Sequence, residues 1–166
     1  MGIEFEDNRL KVKEALYDAG EAFIHEACGE LQSRTQRNSR VDTGQTKGSY
    51  SYKVSGSFMA GEQYGQIGSN LENAIWEEFG TGEYALHGDG RKGGWVYQSP
   101  KGEFYYTKGK KPRRPMHNAF TALKNKLIKR YAAILKSDIV NIALHFFLKD
   151  VRPMQPLVMN RSIAVS

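Results

Sequence analysis

The chain holds one cysteine, Cys28, in 166 residues, so no internal disulfide staples it. The place of that thiol among Phe23, Ala27 and Leu31 on one helical face predicts a buried group and not a nucleophile. No apolar run approaches the ~20 residues that a membrane-spanning helix requires, so no membrane partner is expected. The first residues, Met1-Gly2-Ile3-Glu4-Phe5-Glu6-Asp7, are acidic where a secretory leader is basic and then apolar, which predicts a protein made and assembled in cytoplasm. His25, His87, His117 and His145 are scattered, and no Cys or His pair has metal-ligand spacing. Neither a metal, a cofactor nor a small-molecule substrate is expected, and there is no internal repeat.

Acidic residues are missing altogether from Phe104 to Ser137, where ten bases stand: Lys108, Lys110, Lys111, Arg113, Arg114, Lys124, Lys126, Lys129, Arg130 and Lys136. Residues 1–30 have the opposite balance, eight acids against three bases. The overall charge of +6 therefore hides an acidic end and a basic end. Unlike surfaces on one molecule suit head-to-tail packing of identical subunits, which closes into a ring. The basic block also suits nucleic acid, and a DNA-binding domain using residues 108–136 is the alternative reading.

A chain of this length buries about 70% of the surface it exposes when unfolded and needs no staples. Residues 1–150 read as one α+β domain, and 151–166, with Pro153 and Pro156, as a C-terminal arm. Val12, Leu16, Ala19, Phe23, Ala27 and Leu31 recur at helical steps, predicting a long helix from Asn8 to about Thr35 with a stop at Asn38-Ser39-Arg40. Residues 49–54 and 62–68 alternate as a strand pair. Leu71, Ile75 and Phe79, with Trp76 beside them, give a short helix one apolar face, ended by Gly80-Thr81-Gly82. Residues 83–111 form a glycine-containing region with a hairpin, Trp95-Val96-Tyr97 and Phe104-Tyr105-Tyr106 around Ser99-Pro100-Lys101-Gly102. The basic linker Lys108 to Arg114 leads into a helix from Met116 with Phe120, Leu123, Leu127, Tyr131 and Ile134 on its apolar face. Ser137 or Asp138 is expected to cap a further helix reaching Lys149. The expected architecture is a small, mostly antiparallel sheet packed by the long N-terminal helix and the C-terminal helix.

Three strings punctuate this pattern: Val41-Asp42-Thr43-Gly44, then Ile67-Gly68-Ser69-Asn70, then Glu78-Phe79-Gly80-Thr81-Gly82. Each marks the edge of an element with residues suited to backbone shape: Asp and Thr to satisfy free amides, Gly for positive φ. Their order and spacing over residues 8–136, with a closing Pro115-x-x-x-Ala119-Phe120, resembles the head-tail joining proteins of long-tailed bacteriophages, the neck or tail-completion proteins often called minor capsid proteins. The resemblance implies a structural virion protein and not an enzyme. Copies would form a ring, hexameric or twelve-fold, in the head-tail neck, between the portal-side connector and the tail tube and terminator proteins, with genome DNA passing through. It also implies structural roles for Asp42, Thr43, Gly44, Gly68, Asn70, Glu78, Gly80, Thr81 and Gly82. The cations Lys108, Lys110, Lys111, Arg113, Arg114, Lys124, Lys126, Lys129 and Arg130 are the candidate contacts to partner or DNA. Glu78, at a helix end, is expected to bind a neighbour's lysine.

Two catalytic signatures occur and are read as accidental. Asp42-Thr43-Gly44 is the aspartic-protease triplet, but Arg37-Asn38-Ser39-Arg40 before it makes a solvated turn and not the apolar strand that a shared-proton dyad needs. Gly88-Asp89-Gly90-Arg91-Lys92-Gly93 satisfies G-x-G-x-x-G, yet the strand Trp95-Val96-Tyr97 follows where a phosphate-binding helix should start.

Overall fold

The computed structural model describes residues 7–41 and 44–149. The elements in order are α1 (Arg9–Asn38), α2 (Gln45–Ser49), β1 (Ser51–Ser57), β2 (Glu62–Gly68), α3 (Glu72–Phe79), a 3-10 turn (Gly82–Tyr84), β3 (Trp95–Gln98), β4 (Phe104–Thr107) and α4 (Pro115–Lys149). The class is α+β, as expected. The strands form two separate antiparallel pairs, β1 with β2 and β3 with β4. Asp42, Thr43 and the arm 151–166 lie outside the described residues.

Helix α1 is the central layer and uses two faces. One meets α4 antiparallel through Ala27, Leu123 and Leu127, flanked by Phe23 and Leu31, and Phe23 stacks on Tyr131 with ring centroids 4.8 Å apart. The other face covers the β1–β2 hairpin, where the Gln63 amide donates to the Tyr17 carbonyl at 2.7 Å. Tyr17 meets Phe58 edge-on at 5.3 Å. Cys28 is buried, as expected, but it faces β2: a Cβ on Gly65 would collide with its Sγ and stand 3.0 Å from Ile24. Only glycine lets the strand come this close to the helix.

Three expectations need correction. The turn after Val41 leads first into the short helix α2, with Gly44 at φ 82° ahead of it, and only then into β1. The break at Ser137 or Asp138 is absent, and α4 runs unbroken for 35 residues; neither residue breaks a helix without Gly or Pro beside it. Phe120 does not join the packed stripe. It is exposed, and its neighbour Ala119 is fully buried in its place, because a small side chain allows α4 to lie close to its neighbours where it begins.

Candidate functional site

Helix α3 turns its apolar face outward. Ile75, Trp76 and Phe79 are 57%, 44% and 41% exposed, while Glu77 and Glu78 are 3% and 5% exposed. Residues 74, 77 and 78 share one side of a helix and 75 and 79 the other, so burying Ala74 with both glutamates forces the large apolar side chains outward. Periodicity locates the apolar face but does not say whether that face meets the core or the outside.

The inward face is a joint between elements. The Glu78 carboxylate accepts the backbone N–H of Met116 at 2.9 Å and of His117 at 3.0 Å, capping the first turn of α4, where free amides and the helix dipole favour an anion. This overturns the expectation that Glu78 reaches a neighbour's lysine: its charge is used within the chain. The Glu77 carbonyl, left free at the end of α3, accepts the N–H groups of Arg113 at 2.8 Å and Arg114 at 3.1 Å. Arg114 holds φ 55°, an uncommon conformation for a non-glycine residue, and its carbonyl takes the first α4 bond, from Asn118 N–H at 2.9 Å. The C-terminal end of α1 joins the same knot, for Asn38 donates through its amide to the Pro115 carbonyl at 3.2 Å and accepts at its own carbonyl from Arg113 Nε at 2.7 Å.

Beneath this joint lies a polar core of Thr35, Ser39 and Tyr50, all buried. The Ser39 hydroxyl donates to the Thr35 carbonyl at 3.0 Å, and the buried Tyr50 hydroxyl has no well-formed hydrogen bond among the described residues. Burial foremost, aided by the charges of Glu77 and Glu78, raises the Tyr50 phenol above its ordinary value despite the proximity of Ser39. Glu77 Oε1 pairs with Lys110 at 3.4 Å. Its Oε2 is buried without a partner among the described residues, and Glu77 borders a polar hollow of about 790 Å³ shared with Ser39, Thr46 and Asn73.

Gly80-Thr81-Gly82 ends α3 as the sequence predicts, with both glycines at positive φ, 75° and 62°. A Cβ on Gly80 would sit 2.8 Å from Pro112 Cδ and from the Tyr84 carbonyl, and one on Gly82 would collide with the Lys108 carbonyl. The linker crosses here: Thr81 N–H donates to the Lys110 carbonyl and Glu83 N–H to the Lys108 carbonyl, both at 2.9 Å, and Lys110 N–H returns a bond to Thr81 Oγ1 at 2.9 Å. From this crossing the β3–β4 hairpin projects with Val96, Phe104 and Tyr106 61%, 71% and 61% exposed.

Of the other residues singled out, Gly68 closes β2 opposite Ser51. Asn70 is exposed, and the turn into α3 is fixed by Ser69, whose hydroxyl lies 2.6 Å from that of Ser49 and accepts Leu71 N–H at 3.1 Å. Ser69 was missed because Asn is the more usual turn residue; an ST-type turn leaves a weaker signal.

The basic segment is largely engaged within the chain. Lys108 pairs with Glu83 at 3.6 Å, Lys126 with Glu30 at 2.7 Å, and Arg130 with Glu26 at 3.4 Å and Glu30 at 3.2 Å. Lys126, ahead of Arg130, holds the Glu30 carboxyl below its ordinary value. Lys111 lies over the Tyr84 ring at 5.4 Å, and Arg114 is half-buried. Lys124 and Lys129 are exposed. The acidic and basic ends of the sequence are thus brought together by the antiparallel packing of α1 on α4 and do not stand apart as an acidic end and a basic end.

Among the described residues no group of three or more His, Cys, Asp or Glu is placed to hold a metal ion, and no helix is long and apolar enough to cross a membrane. No family model, curated protein or solved structure matches the chain significantly.

Proposed function

We propose that this chain is a structural connector of a tailed bacteriophage, assembling as a ring in the head-tail neck between the portal-side connector and the tail tube. The observation that carries the reading is the ordered set of strings, Val41 to Gly44, Ile67 to Asn70 and Glu78 to Gly82, with the resemblance they bear. The outward turn of Ile75, Trp76 and Phe79 supports an assembly module, since apolar surface of this kind gains when covered by another protein. Recognition is by surface complementarity, and no bond is made or broken.

The rival, a DNA-binding domain using residues 108–136, is weakened because Lys108, Lys110, Lys126 and Arg130 already face carboxylates of the same chain. A footprint on many phosphates needs cations free to displace counterions.

The test is a lysate from a phage deleted for this gene, viewed by electron microscopy. Filled heads and finished tails that fail to join are expected. Normal, infectious tailed particles would overturn the connector reading. A steep loss of DNA affinity with rising salt, measured on the purified protein, would favour the rival.

A further inference from the structure

We propose that the outward face of α3 on one copy docks against the β3–β4 hairpin of the next copy; this inference rests on the ring reading above and names its contact. Three observations support it.

The first is the inversion of α3. Burying Glu77 and Glu78 while exposing Ile75, Trp76 and Phe79 runs against the transfer preference of every one of these side chains. Leu86 and Tyr84 extend the same exposed apolar surface, with the Leu86 N–H tied to the Phe79 carbonyl at 2.9 Å.

The second is the hairpin. Two strands alone are marginal in water, and among the described residues this pair has no third strand. Val96 stands opposite Tyr106, and with Phe104 they form one apolar face. The Tyr106 hydroxyl is fixed by donation to the Gly93 carbonyl at 2.9 Å, so this face is already ordered before contact. At roughly 200 Å² per large side chain, the exposed fractions give each patch about 400 Å² of open apolar surface. That is close to the apolar share of one side of a standard interface, about 800 Å² of which somewhat over half is apolar.

The third is charge. Residues 69–90 carry five acids, Glu72, Glu77, Glu78, Glu83 and Asp89, and no Lys or Arg; residues 91–111 carry six bases and one acid, Glu103. After the pairs Glu77–Lys110 and Glu83–Lys108 and the cap formed by Glu78 within the chain, Glu72 and Asp89 remain in residues 69–90. Arg91, Lys92, Lys101 and Lys111 remain in residues 91–111 against Glu103, with Lys111 lying over the Tyr84 ring. Pairing α3 with α3, or hairpin with hairpin, would bring like charges together; pairing α3 with the hairpin joins unlike ones. Because the two patches differ and are both open on the same chain, the contact is heterologous and propagates from copy to copy.

Cysteine cross-linking tests this, since Cys28 is buried and does not compete. Under oxidising conditions a mixture of Ile75→Cys and Phe104→Cys chains should give a covalent dimer that neither variant gives alone, and the I75C/F104C double variant should give a ladder of multimers. A companion variant, Ile75→Ser with Phe79→Ser, should melt as the parent does and self-associate at least roughly tenfold more weakly by sedimentation. The proposal is overturned if the mixture fails to cross-link although both single variants melt like the parent. Disulfides between two Ile75→Cys chains would overturn it as well, as would a companion variant that associates as tightly as the parent. The connector reading is judged separately by the deletion lysate. Joined particles lacking the cross-link refute the contact and leave the connector; ladders from a chain whose deletion is harmless refute the connector and leave the contact.

Discussion

The carboxylate of Glu78 accepts the N–H of Met116 at 2.9 Å across 38 residues of sequence, so the end of α3 supplies the cap for the start of α4. The helix receiving the cap begins with Pro115, which has no N–H to offer and a φ already suited to a first helical turn. The unmet amides are therefore those of the next two residues, and the carboxylate takes both.

Removing this cap should be costly. Glu78→Ala leaves two part-buried amides of the first turn without their charged acceptor and should lose about 1–2 kcal/mol, read from urea denaturation. Glu78→Gln keeps one acceptor oxygen without the charge and should lose about half as much. Equal stability of all three proteins would show that the bond is dispensable.

The glycine in β2 facing Cys28 predicts a coupled pair. Gly65→Ala should destabilise by about 1–3 kcal/mol, the usual cost of overpacking, since its Cβ collides with Sγ. Cys28→Ala should recover part of that loss in the double variant. The check is a double-mutant cycle, with a coupling of at least about 0.5 kcal/mol expected for residues in contact.

The buried phenol predicts behaviour in alkali. Tyr50 has its folded-state value raised above 10.0, so its contribution is complete below the unfolded value and is lost as pH rises through the folded one. Denaturation midpoints should fall more steeply with pH above about 10 in the parent than in Tyr50→Phe. At neutral pH the Phe variant should be about as stable as the parent, because among the described residues the buried hydroxyl makes no well-formed hydrogen bond.

Replacing Gly80 or Gly82 by valine should lower stability by more than about 1 kcal/mol each, since a β-branched residue is strained at these φ values and its Cβ meets backbone atoms of the crossing linker. Thr81→Ser keeps the hydroxyl that accepts Lys110 N–H and should be mild. Thermal melting of the three variants beside the parent decides the matter.

The elements were legible where local chemistry is strong. The steps of four in α1, the alternation in β1 and β2, the Ser99 to Gly102 turn and the positive φ at Gly80 and Gly82 all act within a few residues, and each stands in the structure within a few residues of its expected place, β1 beginning at Ser51 and not at Ser49. What the sequence did not disclose depends on distant partners. Glu78 reads as a surface acid until Met116 is beside it, and Lys126 reads as a free cation until α1 brings Glu30 within 2.7 Å. The outward turn of α3 belongs to the same class: the apolar stripe was found correctly, but its direction is set by the buried glutamates and their partners on the linker and α4.

The crossing at Gly80 to Glu83 has an evolutionary consequence. The hairpin is tied to the body by main-chain bonds from Thr81 and Glu83 to the carbonyls of Lys110 and Lys108, and such bonds do not depend on which side chains the intervening loop carries. Residues 85–107 can therefore drift, lengthen or shorten while the helical body keeps its shape, so that one scaffold could present differently shaped tips to differently shaped mates.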